Sequence, residues 1–252
     1  MRILLLNPNM TQSVTDLMAD AGRAVAAPGT ELVAVRAPRG VPYISNRAEA
    51  LIGGVVTLEM LAAHEGTIDA AIIAAFGDPG LLGARELFDF PVVGVSEAAM
   101  LTACMLGQRF AIVTFSKTLI GWYRDCVELN GLWSRCAGIF ALDLSFADIT
   151  SGDPSHSDAL VELAGRVVRD HGAEVLIFGG APLAGLANRE RDRIPVPIVD
   201  PVAAAVKQAE ALLALAPRKA TQGSFKRPAA KPTGGIDPLL AARIEHREGR
   251  SQ

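Results

Sequence analysis

The chain repeats itself. The stretch Ala70-Ala71-Ile72-Ile73-Ala74-Ala75-Phe76-Gly77-Asp78-Pro79-Gly80 has a near-copy at Val175-Leu176-Ile177-Phe178-Gly179-Gly180-Ala181-Pro182-Leu183-Ala184-Gly185. Laid together without gaps, the copies set Ala75 over Gly180, Gly80 over Gly185 and Leu81 over Leu186, a constant offset of 105 residues. Two more blocks agree: Arg109 to Thr118 lies over Arg2 to Thr11 at an offset of 107, and Pro197 to Asp200 lies over Pro91 to Gly94 at 106. Three blocks in the same order at nearly one offset identify an internal duplication.

Each focal copy is an apolar run emptying into a Gly/Pro turn, without polar alternation, which reads as a strand buried on both faces. The rest of each half supplies further strands and helices. Ile3 to Leu6 reads as a strand; Asn7 to Thr11 breaks it and offers Asn9 or Thr11 as the N-cap of a helix to about Ala26. Glu31 to Val35 alternates as a strand, Pro38 to Ser45 reads as loop, and Ala48 to His64 has helical spacing. A short helix is expected after Glu86, a strand at Pro91 to Val95 and a helix from Glu97 to Leu106. The predicted class is α/β: two pseudo-symmetric lobes, each a mostly parallel sheet flanked by helices, with a ligand cleft between them lined by the carboxyl ends of the strands.

Composition narrows the function. Half of the 252 residues are hydrophobic and 20% are charged, which suits a well-filled core. No apolar run approaches the roughly 18 residues of a membrane span, and the N-terminus lacks a signal-like apolar segment, so a cytoplasmic location is expected. From Pro217 onward eight Lys/Arg stand against three Asp/Glu, making the tail +5 and the preceding 216 residues −8 within a total of −3. An acidic body argues against nucleic acid as a partner. The tail, rich in Pro and Gly before a short helix at Pro238 to Ile244, has too little apolar surface to fold alone and is expected to lie over the body or a neighbouring subunit. Cys104, Cys126 and Cys136 lack metal-ligand spacing and read as packing residues.

The polar residues cluster at the predicted strand ends. Asn7, Asn9 and Thr11 follow the first strand; Thr114, Ser116 and Thr118 hold the same places in the second half. The turns at Phe76-Gly77-Asp78 and Gly180-Ala181-Pro182 add backbone N–H groups, which suit a carboxylate or an imide oxygen. These residues fit a small anionic or carbonyl-rich ligand, or they cap helices. Asp78 reads either as an acid/base candidate or as a turn and cap residue, and Glu97 as a complement to a helix dipole. His64 and His171 fall at helix ends, whereas His156 sits in a loop able to reach the cleft. The chain has no P-loop, no dinucleotide-binding glycine fingerprint, no H-E-x-x-H and no G-x-S-x-G.

Taken together, Asn7-Pro8-Asn9 with Thr11, Phe76-Gly77-Asp78-Pro79-Gly80, Gly94-Val95-Ser96-Glu97-Ala98-Ala99 and Pro197 to Asp200 resemble the aspartate/glutamate racemase superfamily, in its hydantoin and allantoin racemase branch. The resemblance implies a homo-oligomeric, cofactor-independent isomerase. Its pocket would bind hydantoins, ureides or amino acids through Asn7, Asn9, Thr11, Tyr43, Phe76, Gly77, Thr114, Thr118, Ala181 and Pro182. It also implies an inserted second lobe: 1–98 with 203–216 as the first lobe, 99–202 as the second, and 217–252 as a basic tail. Members that racemise carry a cysteine at the end of each focal strand, one thiol per face of the reacting carbon. Here those positions are Ala75 and Gly180, and neither side chain can carry a proton. Three explanations stand open at this level. The cysteines were removed by design; or another residue (Asp78, Ser116, Thr118, Tyr43 or His156) serves as acid or base, for racemisation, decarboxylation or C–N hydrolysis; or the chain binds its ligand without turnover.

Overall fold

The structure is a computed structural model describing residues 1–247. The duplication is visible in the order of its elements. The first half contributes β1 (Arg2–Asn7), α1 (Gln12–Arg23), β2 (Glu31–Arg36), α2 (Arg47–His64), β3 (Ala70–Ile73), α3 (Leu81–Leu87) and β4 (Val92–Gly94). After α4 (Val95–Leu106) the second half follows with β5 (Phe110–Thr114), α5 (Ile120–Leu129), β6 (Cys136–Ala141), α6 (Phe146–Thr150), α7 (Pro154–His171), β7 (Val175–Phe178), α8 (Leu186–Glu190) and β8 (Ile198–Val199). The helices α9 (Pro201–Leu215) and α10 (Pro238–Ile244) close the chain. Two four-stranded parallel sheets result, ordered β2-β1-β3-β4 and β6-β5-β7-β8.

The correspondence reaches individual bonds. Beyond β3 the Ala74 N–H donates to Leu6 O at 2.7 Å, and beyond β7 the Gly179 N–H donates to Val113 O at 2.9 Å. Gly80 (φ 85, ψ 0) and Gly185 (φ 76, ψ −10) adopt the same left-handed conformation before α3 and α8. At Gly80 the requirement is also steric, because an added Cβ would stand 2.8 Å from the Gly54 carbonyl of α2. The focal strands β3 and β7 are fully buried.

The boundaries differ from the sequence reading in a few places. The first helix ends at Arg23, α3 takes in Gly83 to Glu86 and begins at Leu81, and α4 starts directly at Val95. Thr11 does hold the N-cap position of α1, but its side chain donates to Pro42 O (2.6 Å) and caps nothing.

The two halves share one core. One buried cluster runs from Ile3, Leu5 and Ile72 through Met100 and Val206 to Ile112 and Ile177, while a second fills the space between the first sheet and α2/α3 with Leu4, Leu6, Val56, Leu61 and Ile73. The helix that follows each sheet packs on the opposite one: α4 contacts β5, β7 and β8, and α9 contacts α1, β3 and β4. Gln208 of α9 donates to Ala98 O (2.9 Å) and Thr102 Oγ1 (3.1 Å) of α4. Nearly buried Glu210 anchors α9 to the first half, accepting from Ala27 N–H and from Thr30 Oγ1, each at 2.7 Å.

The basic tail lies over the body, as its composition suggested. α10 packs on α2, and Arg243 is 4% exposed, donating to Leu87 O (2.8 Å) and pairing with Glu65 and Asp89. Lys219 donates to the carbonyls of Arg85 and Phe88. Tail cations thus meet the acidic body at the carboxyl ends of α2 and α3, where their charge also complements the helix dipoles. No helix among the described residues is long and apolar enough to cross a membrane.

Candidate functional site

The two focal strands end opposite each other. Phe76, just past β3, packs against Tyr123 of α5 with ring centroids 4.6 Å apart, and both border Gly179 just past β7. Gly77 faces the Trp122 ring so closely that a Cβ there would stand 2.1 Å from it. A narrow apolar cavity lies where the turns converge, lined by Ala74, Phe76, Gly180 and Ala181 together with Met18 and Pro201. Across the cleft Arg47 of α2 pairs with Asp125 of α5 and donates to Gly121 O (2.9 Å), tying the two halves together beside the aromatic contacts.

Ala75 and Gly180, the two positions at which the resemblance places thiols, differ from each other. Ala75 is nearly buried and conformationally ordinary. Gly180 sits at φ +125°, a region that L side chains rarely adopt, and a Cβ on it would lie 3.2 Å from the Phe115 ring and 3.5 Å from the Tyr123 hydroxyl. The oxygen nearest that position therefore belongs to Tyr123, which the sequence reading did not select. The two tyrosines of the chain, Tyr43 and Tyr123, interact with one another, and burial pushes both phenols above the usual tyrosine range, so each is a neutral hydroxyl at pH 7. Fully buried Thr114, at the end of β5, also lies beside Tyr123. In a chain only 5% aromatic, the adjacent Trp122-Tyr123 pair was the available signal.

Asn7, Asn9 and Thr11 join in one hydrogen-bonded network at the end of β1. The Asn7 amide donates to Asn9 Oδ1 (3.1 Å) and Thr15 Oγ1 (2.8 Å), and its Oδ1 accepts from Asn9 N–H (3.2 Å). Asn9 Oδ1 accepts in turn from Thr11 N–H (3.1 Å). With Thr11 bonded to Pro42 O and Met10 N–H to Val41 O (3.0 Å), this network fixes the 38–45 loop. The loop delivers Tyr43, which stacks on Phe146 (4.4 Å, 19°) and lies 5.9 Å from Phe115.

Ser116 and Thr118 bond to each other at 3.1 Å on the exposed side of the turn after β5. Pro182 and His156 line a second, open cavity of about 180 Å³ together with Asp153, Leu183 and Arg189. His64 and His171 are the last residues of α2 and α7, and Glu97 forms a bidentate pair with Arg85. Burial raises the Cys126 and Cys136 thiols above the ordinary cysteine value, which suits packing. Among the described residues, no three His, Cys, Asp or Glu side chains gather closely enough to hold a metal ion.

Asp78 caps a helix remote from it in sequence. Its carboxylate accepts from Ser96 N–H (2.9 Å), Ser96 Oγ and Glu97 N–H (2.8 Å) at the start of α4, and its own backbone is left-handed (φ 48). An added Cβ on Gly94 would stand 2.3 Å from this carboxylate, so the close approach depends on that glycine. Burial pushes the carboxyl up to about 6 against the opposing pull of the Ser96 and Glu97 donors. A folded-state value above the unfolded 3.8 means the native protein holds the extra proton between them, so the contribution of Asp78 is fully present below about pH 4 and is lost as pH rises through 6. The expected result is a wild-type stability that falls by up to ~3 kcal/mol from pH 4 to 7 relative to Asp78→Asn. Urea titrations of both proteins across that range check it, and parallel pH profiles would refute it.

These observations define a class: a two-lobed, internally duplicated α/β protein with its cleft at facing strand ends. Residues 3–209 match the family Asp/Glu/Hydantoin racemase, and the chain belongs to that family. It is 34% identical to the hydantoin racemase of Paenarthrobacter aurescens over 92% of this chain and 99% of that protein. Among solved structures, the allantoin racemase from Klebsiella pneumoniae superposes with a TM-score of 0.90 at 37% identity, covering 95% of this chain and 98% of that one. The allantoin racemase of Pseudomonas fluorescens gives 0.89 at 34% identity, with 93% and 100% covered.

Proposed function

We propose that the cleft binds a small hydantoin- or ureide-like ring between the turns after β3 and β7, and that proton exchange by a pair of thiols is not its reaction. The observation that carries this reading is the pair Ala75 and Gly180 at the facing strand ends, with the neutral Tyr123 hydroxyl as the closest proton donor beside Gly180. Narrow apolar walls, backbone N–H groups and uncharged hydroxyls suit a planar, carbonyl-rich ligand. A buried neutral phenol can donate a hydrogen bond to a developing enolate oxygen, but it is a poor base at pH 7. The lobe division at 1–98 with 203–216 and 99–202 belongs to the same reading, as does the absence of an organic cofactor or metal.

Proton exchange in deuterated water separates the possibilities. With enantiopure 5-substituted hydantoins and allantoin, the expected result is ligand-dependent stabilisation without racemisation and with at most slow Cα–H exchange. Racemisation at the rate of a two-thiol enzyme would overturn the reading. Release of carbon dioxide from a malonate-type acid, or ring opening by water, would redirect it toward decarboxylation or C–N hydrolysis, the chemistries for which Tyr43, Tyr123, Asp78, Ser116 or His156 would have to supply the proton.

A further inference from the structure

The duplication gives one place in the fold twice, and the two versions differ. In the first half α2 closes directly on the turn after β3. Its Gly53 and Gly54 put no side chain in the way: a Cβ on Gly54 would stand 3.2 Å from Gly80 N, and one on Gly53 2.6 Å from Ile44 Cδ1. In the second half α7 has the same length as α2 and lies at an offset of 107 residues. It carries Leu160 and Val161 where α2 has its two glycines. Side chains of that size set the distance between a helix and what it crosses. Between α7 and the turn after β7 lies the open cavity of about 180 Å³, an order of magnitude more than one water needs.

The lining has changed along with the space. Leu160, Leu183 and Leu186, each at most 2% exposed, form an apolar floor. Asp153, His156, Ser157 and Arg189 stand around it. At the offsets of the repeat, His156 takes the place of Glu49 and Arg189 that of fully buried Ala84. Two of these groups lack an internal partner. His156 Nδ1 is buried without a hydrogen-bond partner, a state that protein interiors rarely tolerate. Arg189 forms no ion pair among the described residues, although nearby Arg193 is held by both Asp158 and Glu190.

We propose that this cavity is a second binding site, for an α-amino acid with an apolar side chain. Arg189 presents planar donors to the carboxylate, and the unbonded His156 nitrogen and the Ser157 hydroxyl add uncharged partners. Asp153, which accepts from Ser155 N–H (2.9 Å) through one oxygen, supplies the negative charge that an ammonium group requires. The leucine floor takes the side chain. The cleft at the strand ends differs in kind, because its uncharged walls suit a neutral ring, so the two sites sort ligands by charge. They meet at one turn: Pro182 and Leu183 wall the second cavity, Gly180 and Ala181 the first, and Leu183 N–H donates to Gly180 O (2.9 Å). An amino acid seated against Pro182 therefore bears on the backbone beside the cleft.

Isothermal titration of the full chain with L-leucine tests the proposal, and the expected result is saturable binding in the micromolar to low-millimolar range. 4-Methylpentanoate, which lacks the ammonium group, and leucinamide, which lacks the carboxylate, should each bind at least about 10-fold more weakly, the effect of one lost charge-assisted bond. L-Glutamate, whose second carboxylate the leucine floor rejects, should be as weak. Arg189→Glu should weaken leucine by at least about 10-fold with an unchanged far-ultraviolet spectrum. Arg191→Glu, on an exposed residue outside the cavity, should leave leucine binding unchanged. No binding at millimolar leucine, equal binding by the wild type and Arg189→Glu, or an equal loss from Arg191→Glu would overturn the proposal. Should the Arg189 variant fail to fold, His156→Ala decides by the same comparison. The outcome is independent of the ligand proposed for the cleft, which hydantoin-dependent stabilisation reads separately.

Discussion

Placing thiols at both strand ends, Ala75→Cys with Gly180→Cys, is expected to bring out hydantoin racemisation driven by a thiol pair, if the proposed cleft is the site. A positioned acid or base contributes roughly 10²–10⁴-fold, so the gain from two thiols should be measured in orders of magnitude. The surroundings are suitable: both positions are buried among apolar side chains. The two substitutions should not behave alike. Ala75→Cys adds one atom to an existing Cβ in an ordinary conformation. Gly180→Cys must move the backbone out of φ +125° or bear a strained side chain against Phe115, a destabilisation of about 1–3 kcal/mol. Ala75→Cys alone is therefore expected to exchange the Cα proton of one antipode without racemising it, since no group serves the other face. Polarimetry paired with deuterium uptake reads both outcomes. A folded, ligand-binding double variant with no exchange would show that the cleft is shaped for a different reaction.

The largest loss of stability is expected from the smallest change, Gly77→Ala. The residue sits at φ +115°, where a Cβ is strained, and that Cβ would stand 2.1 Å from Cζ2 of Trp122. The ring belongs to α5 in the other half, so relief requires the cleft to open. Backbone strain and overpacking each contribute about 1–3 kcal/mol, and their sum of roughly 2–6 kcal/mol is a large part of the stability of a domain. Urea unfolding should show the drop, and ligand-dependent stabilisation should vanish with it. Trp122→Leu in the Gly77→Ala background should return the packing share but not the conformational share. A Gly77→Ala protein within 1 kcal/mol of the parent would mean that the Phe76-Gly77 turn yields freely, and that the aromatic contacts do not hold the cleft closed.

Much of the architecture was legible because duplication constrains twice. Apolar runs without alternation at 70–75 and 175–178 could only be strands buried on both faces, and both are fully buried. Legibility ended where a side chain acts far from its place in the sequence. Asp78 could be read as a local turn or cap residue, yet its carboxylate caps the start of α4, some twenty residues on, across a gap left open by Gly94. Asn7, Asn9 and Thr11 read as ligand-facing or helix-capping groups, and only the structure shows the bonds that link them to one another and to the loop that carries Tyr43. Tyr123 lies on a helix with no motif, and only the approach of α5 to Gly180 brings its hydroxyl to the strand end.

The sequence by itself determined the layered α/β class, the duplication and the absence of a proton-carrying side chain at Ala75 and Gly180, because periodicity, turn chemistry and side-chain identity are local properties. Tertiary structure decided which oxygen stands beside Gly180 and the left-handed backbone at Gly180. Those depend on where helices from one half come to rest against strand ends of the other. That placement is fixed by the shared core and the crossed packing of α4 and α9, which no local window of sequence contains.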